Sequence, residues 1–264
     1  MSERPPIDVP KSRELLEGLL TLAGSTGETY SRFHRYSPRN LGFLALQNCP
    51  PEPIATFKRW QELGRHVTKG SKAYSILRPI QVKVETDDNS DEQYKLVRRF
   101  KVVRALFAVS QTAGDDLPPY CPPGWSVDRA LETLGIERVP FENYDGNIGG
   151  YARGNKIAIN PVAPYPLRTT IHEASHVTHG DTTPENLALY QEHRGQFEYR
   201  AEASAYVVLN ELGALDEETA SVSRGYVQGW LRDQQPPEDD MRRVLNVSTK
   251  ILDAGFEPEG TEES

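Results

Sequence analysis

Two histidines four residues apart with a glutamate between them, His172-Glu-Ala-Ser-His176, constrain this chain more than any other feature. A helix puts residues i and i+4 side by side on one face, whereas a strand spaces them about 13 Å apart. Residues 167–179 are therefore predicted helical, and both imidazoles can reach one ion. Glu173 follows His172 directly, where its carboxylate can hydrogen-bond a water on an open coordination position. Zinc lowers the pKa of such a water toward neutrality, and a carboxylate is basic enough to take its proton. At this chain's content of His and Glu the pattern arises by accident in about one chain in a hundred. His172 and His176 are read as Zn2+ ligands and Glu173 as the catalytic base.

A catalytic zinc takes a third protein ligand. The pattern HExxHxxGxxH fails here, because His179 stands where it requires glycine. His179 itself lies seven residues past His172, about 10 Å along a helix axis and out of reach of the same ion. A second helix, predicted over residues 191–212 and stopped by Gly213, carries Phe197-Glu-Tyr-Arg-Ala-Glu202. Glu198 and Glu202 share one of its faces. Glu198 is read as the third ligand and Glu202 as the acceptor for a ligand histidine's N–H. Glu192 and His193 are alternative third ligands, and a solvated helix face is the alternative reading of the acidic pair.

Charge divides the chain. Its net charge of -8 combines residues 1–115, with 18 Lys and Arg against 13 Asp and Glu, and a remainder with 12 against 25. A basic half joined to an acidic half fits two modules with different partners. Residues 113–124, with four prolines and two glycines, mark the boundary. The first half reads as helices over residues 38–48 and 56–63 after a leucine-rich one near residues 15–22. Two Val-, Ile- and aromatic-rich runs follow, residues 73–85 and 94–111, on either side of a strong loop signal, as in a long antiparallel hairpin. The second half adds helices at 127–134, 223–232 and 239–254, and a strand at 155–160. That strand can be a plain hairpin or an edge that receives substrate by strand addition. Residues 257–264 read as a disordered acidic tail. No run approaches the roughly eighteen apolar residues of a membrane span, and the polar start lacks a secretory signal. Cys49 and Cys121 have no CxxC spacing, so free thiols and a cytoplasmic location are expected.

Residues 30–80 interleave cations with aromatic side chains. Arg39, Lys58, Arg59, Arg65, Lys69 and Lys72 can follow a phosphate backbone, and Trp60 can stack a base, which is the chemistry of sequence-tolerant single-strand binding. Trp60 fits a core position equally well.

With these residues in view, the second half resembles the ImmA/IrrE-type metallopeptidases. The resemblance is carried by Gly150-Tyr151, Thr170-Ile-His-Glu-Ala-Ser-His-Val-Thr-His179 and Glu198-x-x-x-Glu202 continuing into Ala205-Tyr206. It implies a zincin-like fold and supports Glu198 as a ligand. The first half resembles the ArdC-type single-stranded-DNA-binding domain of antirestriction proteins of mobile elements. Here the signs are Tyr36-Ser-Pro-Arg-Asn40, Phe57-Lys-Arg-Trp60, Leu63-Gly-Arg-His-Val-Thr-Lys-Gly70 and Phe107-Ala-Val-Ser-Gln-Thr-Ala-Gly114. Ala108 and Ser71 depart from that pattern, which carries acidic residues there more often. The expectation is thus an α+β chain with an ArdC-like single-stranded-DNA-binding domain over 1–115 and a zincin-like zinc metallopeptidase domain over 116–256. A repressor-cleaving protease without DNA binding, and a DNA-binding protein with a non-catalytic zinc site, are the competing functions.

Overall fold

The computed structural model of the chain describes residues 8–22, 29–85, 94–121, 123–142, 148–215 and 217–257. Most of the opening arm, the hairpin loop and the acidic tail beyond residue 257 lie outside them. Helix α1 (Ser12–Thr21) buries Leu15, Leu16, Leu19 and Leu20 against α2 (Pro38–Leu46). Pro38 opens α2 at a position where its missing N–H is of no consequence. The two helices cross at glycines. A Cβ on Gly18 would sit 2.6 Å from the carbonyl oxygen of Gly42, and one on Gly42 would strike the carbonyl of Leu15. Helical glycine costs about 1 kcal/mol relative to alanine; here it permits the backbone contact.

Strand β1 (Ile54–Thr56) runs into helix α3 (Phe57–Glu62), capped by the Thr56 hydroxyl accepting from the Arg59 N–H. Strand β2 (Arg65–Val67) follows, and then the long hairpin, β3 (Tyr74–Glu85) with β4 (Tyr94–Ala108), in antiparallel register as expected. β4 is central, with β1 on its other side. β3 is therefore an edge strand, which tolerates Pro79. Helix α2 covers part of that edge with two amides seven residues apart. Asn40 accepts from the N–H of Leu77 and donates to its carbonyl, at 2.7 and 3.3 Å. Gln47 does the same for Ser75, at 2.8 and 2.9 Å. A 3-10 turn (Val109–Gln111) leads to β5 (Thr112–Gly114), which pairs with β2.

The second half opens with α4 (Val127–Thr133) and a three-stranded sheet of β6 (Glu137–Arg138), β7 (Gly150–Arg153) and β8 (Lys156–Ile159), in the order β6-β8-β7. The strand expected at 155–160 is thus the centre of the sheet, and β7 is the edge beside the helix that follows. Five helices follow among the described residues: α5 (Pro166–His179), α6 (Leu187–Glu192), α7 (Arg194–Glu211), α8 (Glu217–Asp233) and α9 (Glu238–Gly255). The single helix expected over 191–212 is broken at His193, whose non-helical backbone (φ -120°, ψ 33°) ends α6 and starts α7. α8 begins earlier than expected. Gly213, at φ 63°, does stop α7.

α7 is buried almost all round, because it serves two cores. Tyr199, Ala203, Tyr206 and Val207 join α1, α2, the hairpin base, α8 and α9; Ala205, Val208 and Leu209 join α5 and α9. The larger core therefore runs across position 115, and α1 packs directly on α9. Among the described residues, no helix is long and apolar enough to cross a membrane, and Cys49 and Cys121 are free.

Candidate metal centre and basic surface

Helix α5 ends in glycine, Gly180 at φ 81°, one turn beyond His176, so both histidines stay on regular backbone. Their rings meet edge to face, with centroids 4.9 Å apart. Across from them, one oxygen of Glu198 on α7 lies 3.3 Å from His172 Nε2 and 3.6 Å from His176 Nε2. One donor atom from each of the three residues lies within 4.8 Å of the others. An ion with tetrahedral bonds of about 2.0–2.1 Å holds donors roughly 3.3–3.4 Å apart. Two imidazole nitrogens and a carboxylate oxygen at these separations fit a divalent cation in both chemistry and spacing.

Each imidazole is oriented by its other nitrogen. Glu202 lies 3.2 Å from His172 Nδ1, and Asp181 lies 3.0 Å from His176 Nδ1. These carboxylates are anchored in turn. Glu202 accepts from Arg168 at 2.6 Å and from Ser223 at 2.9 Å. Asp181 accepts from Arg200 at 3.0 Å, and Arg200 also reaches Asp240 in the first turn of α9, at 3.3 Å. The Tyr190 hydroxyl donates to the remaining oxygen of Glu198 at 2.6 Å.

The spacing of the histidines and glutamates does not point to Asp181, Tyr190, Arg168, Arg200 or Ser223. Asp181 carried a readable signal, an acid one step past the glycine that ends the histidine helix. Tyr190 carried none, since it reaches Glu198 only because the chain breaks at His193. Glu192 and His193 are exposed and stand apart from the three-residue cluster. His179 turns to α7, with Nε2 3.0 Å from the Ser204 hydroxyl; burial and then the charge of Arg200 push its pKa down to about 3, so it is neutral.

Glu173 is buried beside the pair, and its side chain sits against β7. A Cβ on Gly150 would lie 3.3 Å from Glu173 Cγ and 2.8 Å from Thr169, so this strand approaches the helix only as glycine. Burial raises the Glu173 carboxyl pKa, against the lowering effect of the two histidines. Burial lowers that of His172, but hydrogen bonds to Glu198 and Glu202 outweigh it and lift the value to about 9. Hydrogen bonds from His172 and His176 hold Glu198 far below the usual carboxylate range. Glu202, raised by burial, is drawn down to about 2 by His172 and Arg168.

The seven residues expected to contact nucleic acid do not share one surface. Trp60 is fully buried, its indole N–H donating to the Phe107 carbonyl at 2.9 Å. It is a core residue and cannot stack a base, a correction that the short amphipathic α3 explains. Arg65 is folded back on β5, donating to the Thr112 hydroxyl at 2.9 Å and to the Asp115 carbonyl, so it clamps two strands together. Lys58 and Arg59 both pair with Glu62, at 3.8 and 3.0 Å. Lys69 and Lys72 are exposed on the turn after β2. Arg39 lies elsewhere, with its guanidinium 5.1 Å from the centre of the Phe100 ring and 3.3 Å from Asn246 of α9.

Residues 21–109 match the N-terminal domain of anti-restriction factor ArdC. Over the whole chain, the fold is similar to that of the antirestriction protein ArdC from plasmid R388. The metal-free crystal structure aligns with a TM-score of 0.52 at 20% identity, covering 92% of this chain and 94% of that one. The Mn(II)-bound crystal structure aligns with a TM-score of 0.51, also at 20% identity, covering 94% and 96%. An uncharacterized protein of Bacillus anthracis is 24% identical over 291 residues, which take in 91% of this chain and 47% of that protein. The chain thus spans about half the length of that relative. The ArdC match lies within residues 1–115, and the mixed helix-and-sheet class is that of the aligned structures.

Proposed function

We propose that this chain is a zinc-dependent peptidase of the zincin class, joined to a single-stranded-DNA-binding domain as in an antirestriction protein of a mobile element. One observation carries the peptidase reading: the donor atoms of His172, His176 and Glu198 converge to the spacing of a single ion, with Glu173 buried beside them. A divalent cation held there supplies positive charge that polarises a peptide carbonyl and acidifies water. The protein's own groups do the rest. Glu173, made more basic by burial, takes a proton from water on a carboxylate oxygen and returns it to the leaving amine. Glu202 and Asp181 fix the imidazole tautomers that leave Nε2 facing Glu198. The outer edge of β7 offers backbone N–H and C=O groups to an extended peptide.

Two imidazoles and one carboxylate form the ligand set of zinc peptidases; the Mn(II) in the ArdC structure makes manganese the second metal to test. The DNA-binding reading is supported by the match over residues 21–109 and by the excess of basic residues in the first half. The test is metal content and proteolysis of fluorescein-labelled casein by the full chain, loaded with zinc or with manganese. Glu173→Gln is expected to keep the metal and lose cleavage. A Glu173→Gln protein that cleaves as fast as the parent would mean that Glu173 is not the base, and a metal-loaded parent that cleaves nothing would leave the metal a structural role.

A further inference from the structure

A groove of about 970 Å³ lies between α2, the β3–β4 hairpin and α9. Its walls carry Arg35, Arg39, Arg99, Arg242 and Lys250, against one acidic residue, Asp253. Five of its polar residues, Arg242, Asn246, Thr249, Lys250 and Asp253, come from the second half of the chain. Arg242, Asn246 and Lys250 follow one another at four-residue spacing, which sets them in a row along the exposed face of α9, opposite the buried Met241, Val244, Leu245 and Ile251. Arg99 and Lys250 have no ion-pair partner among the described residues, while Arg242 has a neighbour on its own helix, Asp239 at 2.8 Å. Between the cations lie apolar and aromatic side chains, Ile76, Pro79 and Phe100, beside the polar Ser37, Asn40 and Thr249, with the Arg39 guanidinium 5.1 Å from the centre of the Phe100 ring.

We infer that this groove, and not the surface of residues 58–72, is where single-stranded DNA lies. The inference rests on the DNA-binding reading above and gives it a site. A single strand offers phosphates to cations and unstacked bases to apolar and aromatic faces, and the groove presents both. A duplex keeps its bases stacked inside and exposes phosphates outside, so it has no use for the apolar and aromatic side chains between the cations. The site is composite: α9, whose first turn holds Asp240 against Arg200 beside the metal centre, supplies one wall.

The experiment is fluorescence anisotropy of a labelled twenty-residue oligothymidylate with the full chain across a salt series. Two triple variants are compared, Arg99→Gln/Arg242→Gln/Lys250→Gln and Lys58→Gln/Lys69→Gln/Lys72→Gln, with thermal melting to check folding. Each phosphate contact contributes about 0.7 to the salt slope for single strands. The groove variant is therefore expected to lower the slope by about 2 and affinity at 0.1 M salt by about a hundredfold. The other variant should bind within about twofold of the parent. If the parent binds and the second variant, not the first, loses affinity, the groove is the wrong site. If the groove variant loses duplex and single strand equally, the single-strand assignment fails. If the parent binds no DNA even at low salt, it is the DNA-binding reading itself that is lost.

Discussion

The metal centre and the basic surface are both assemblies of charged side chains, and they are built in opposite ways. At the candidate metal centre the imidazoles and the carboxylates behind them are held in pairs: His172 on Glu202, His176 on Asp181, Glu202 on Arg168 and Asp181 on Arg200. In the groove, Arg99 and Lys250 are exposed without ion-pair partners among the described residues. Burial explains the difference. A charge removed from water must be compensated locally, so a buried site becomes a network whose members position one another. A charge left in water needs no partner and stays available to an incoming phosphate. A buried charged site is therefore sensitive to single substitutions, whereas an exposed one is the sum of many weak contacts.

That contrast can be broken from its strong end. Glu198→Ala removes the only carboxylate among the three converging groups and should abolish tight zinc binding, read by calorimetry; retention of stoichiometric zinc would mean the metal sits elsewhere. Next in size is Trp60→Ala, expected to cost about 3–5 kcal/mol in a denaturant melt because the indole is fully buried. Trp60→Phe, which keeps most of that volume, should leave oligothymidylate affinity unchanged; a large loss would restore Trp60 as a base platform. Asp181→Asn should weaken zinc binding about 10–100-fold without removing a ligand, and an unchanged affinity would show that His176 needs no anchor.

A smaller effect follows from protonation. The metal-free site holds His172 protonated up to about pH 9, and a metal must displace that proton. Zinc affinity is therefore expected to rise with pH until about 9 and then level, whereas DNA binding through arginines should be flat over the same range. A pH-independent zinc affinity would show that the site is not proton-loaded.

How much of this was legible beforehand follows from the same physics. His172, Glu173, His176, Glu198 and Glu202 sit on two helices, and helical periodicity places residues i and i+4 together whatever surrounds them. The hairpin was legible because Val- and Ile-rich runs flanking a polar loop leave few alternatives. The nucleic-acid residues were chosen by nearness in sequence, a criterion with no geometric content. It joins Trp60, Arg65 and Lys58 to Arg39, and leaves out Arg99, Arg242 and Lys250, which lie far from Arg39 in the chain and line the same groove in the fold.

By itself, then, the sequence determined what depends on local spacing: the helix that carries both histidines, the acidic pair on the next helix, the glycines that end them, and the long hairpin. Only the tertiary structure decided what depends on distant segments meeting. It set Asp181 against His176 and Tyr190 against Glu198, closed Trp60 into the core, made β7 a sheet edge, and brought α9 alongside Arg39. Backbone periodicity acts over a few residues and is written in order along the chain. Burial and electrostatic pairing act through space, and their partners are known only once the chain has folded.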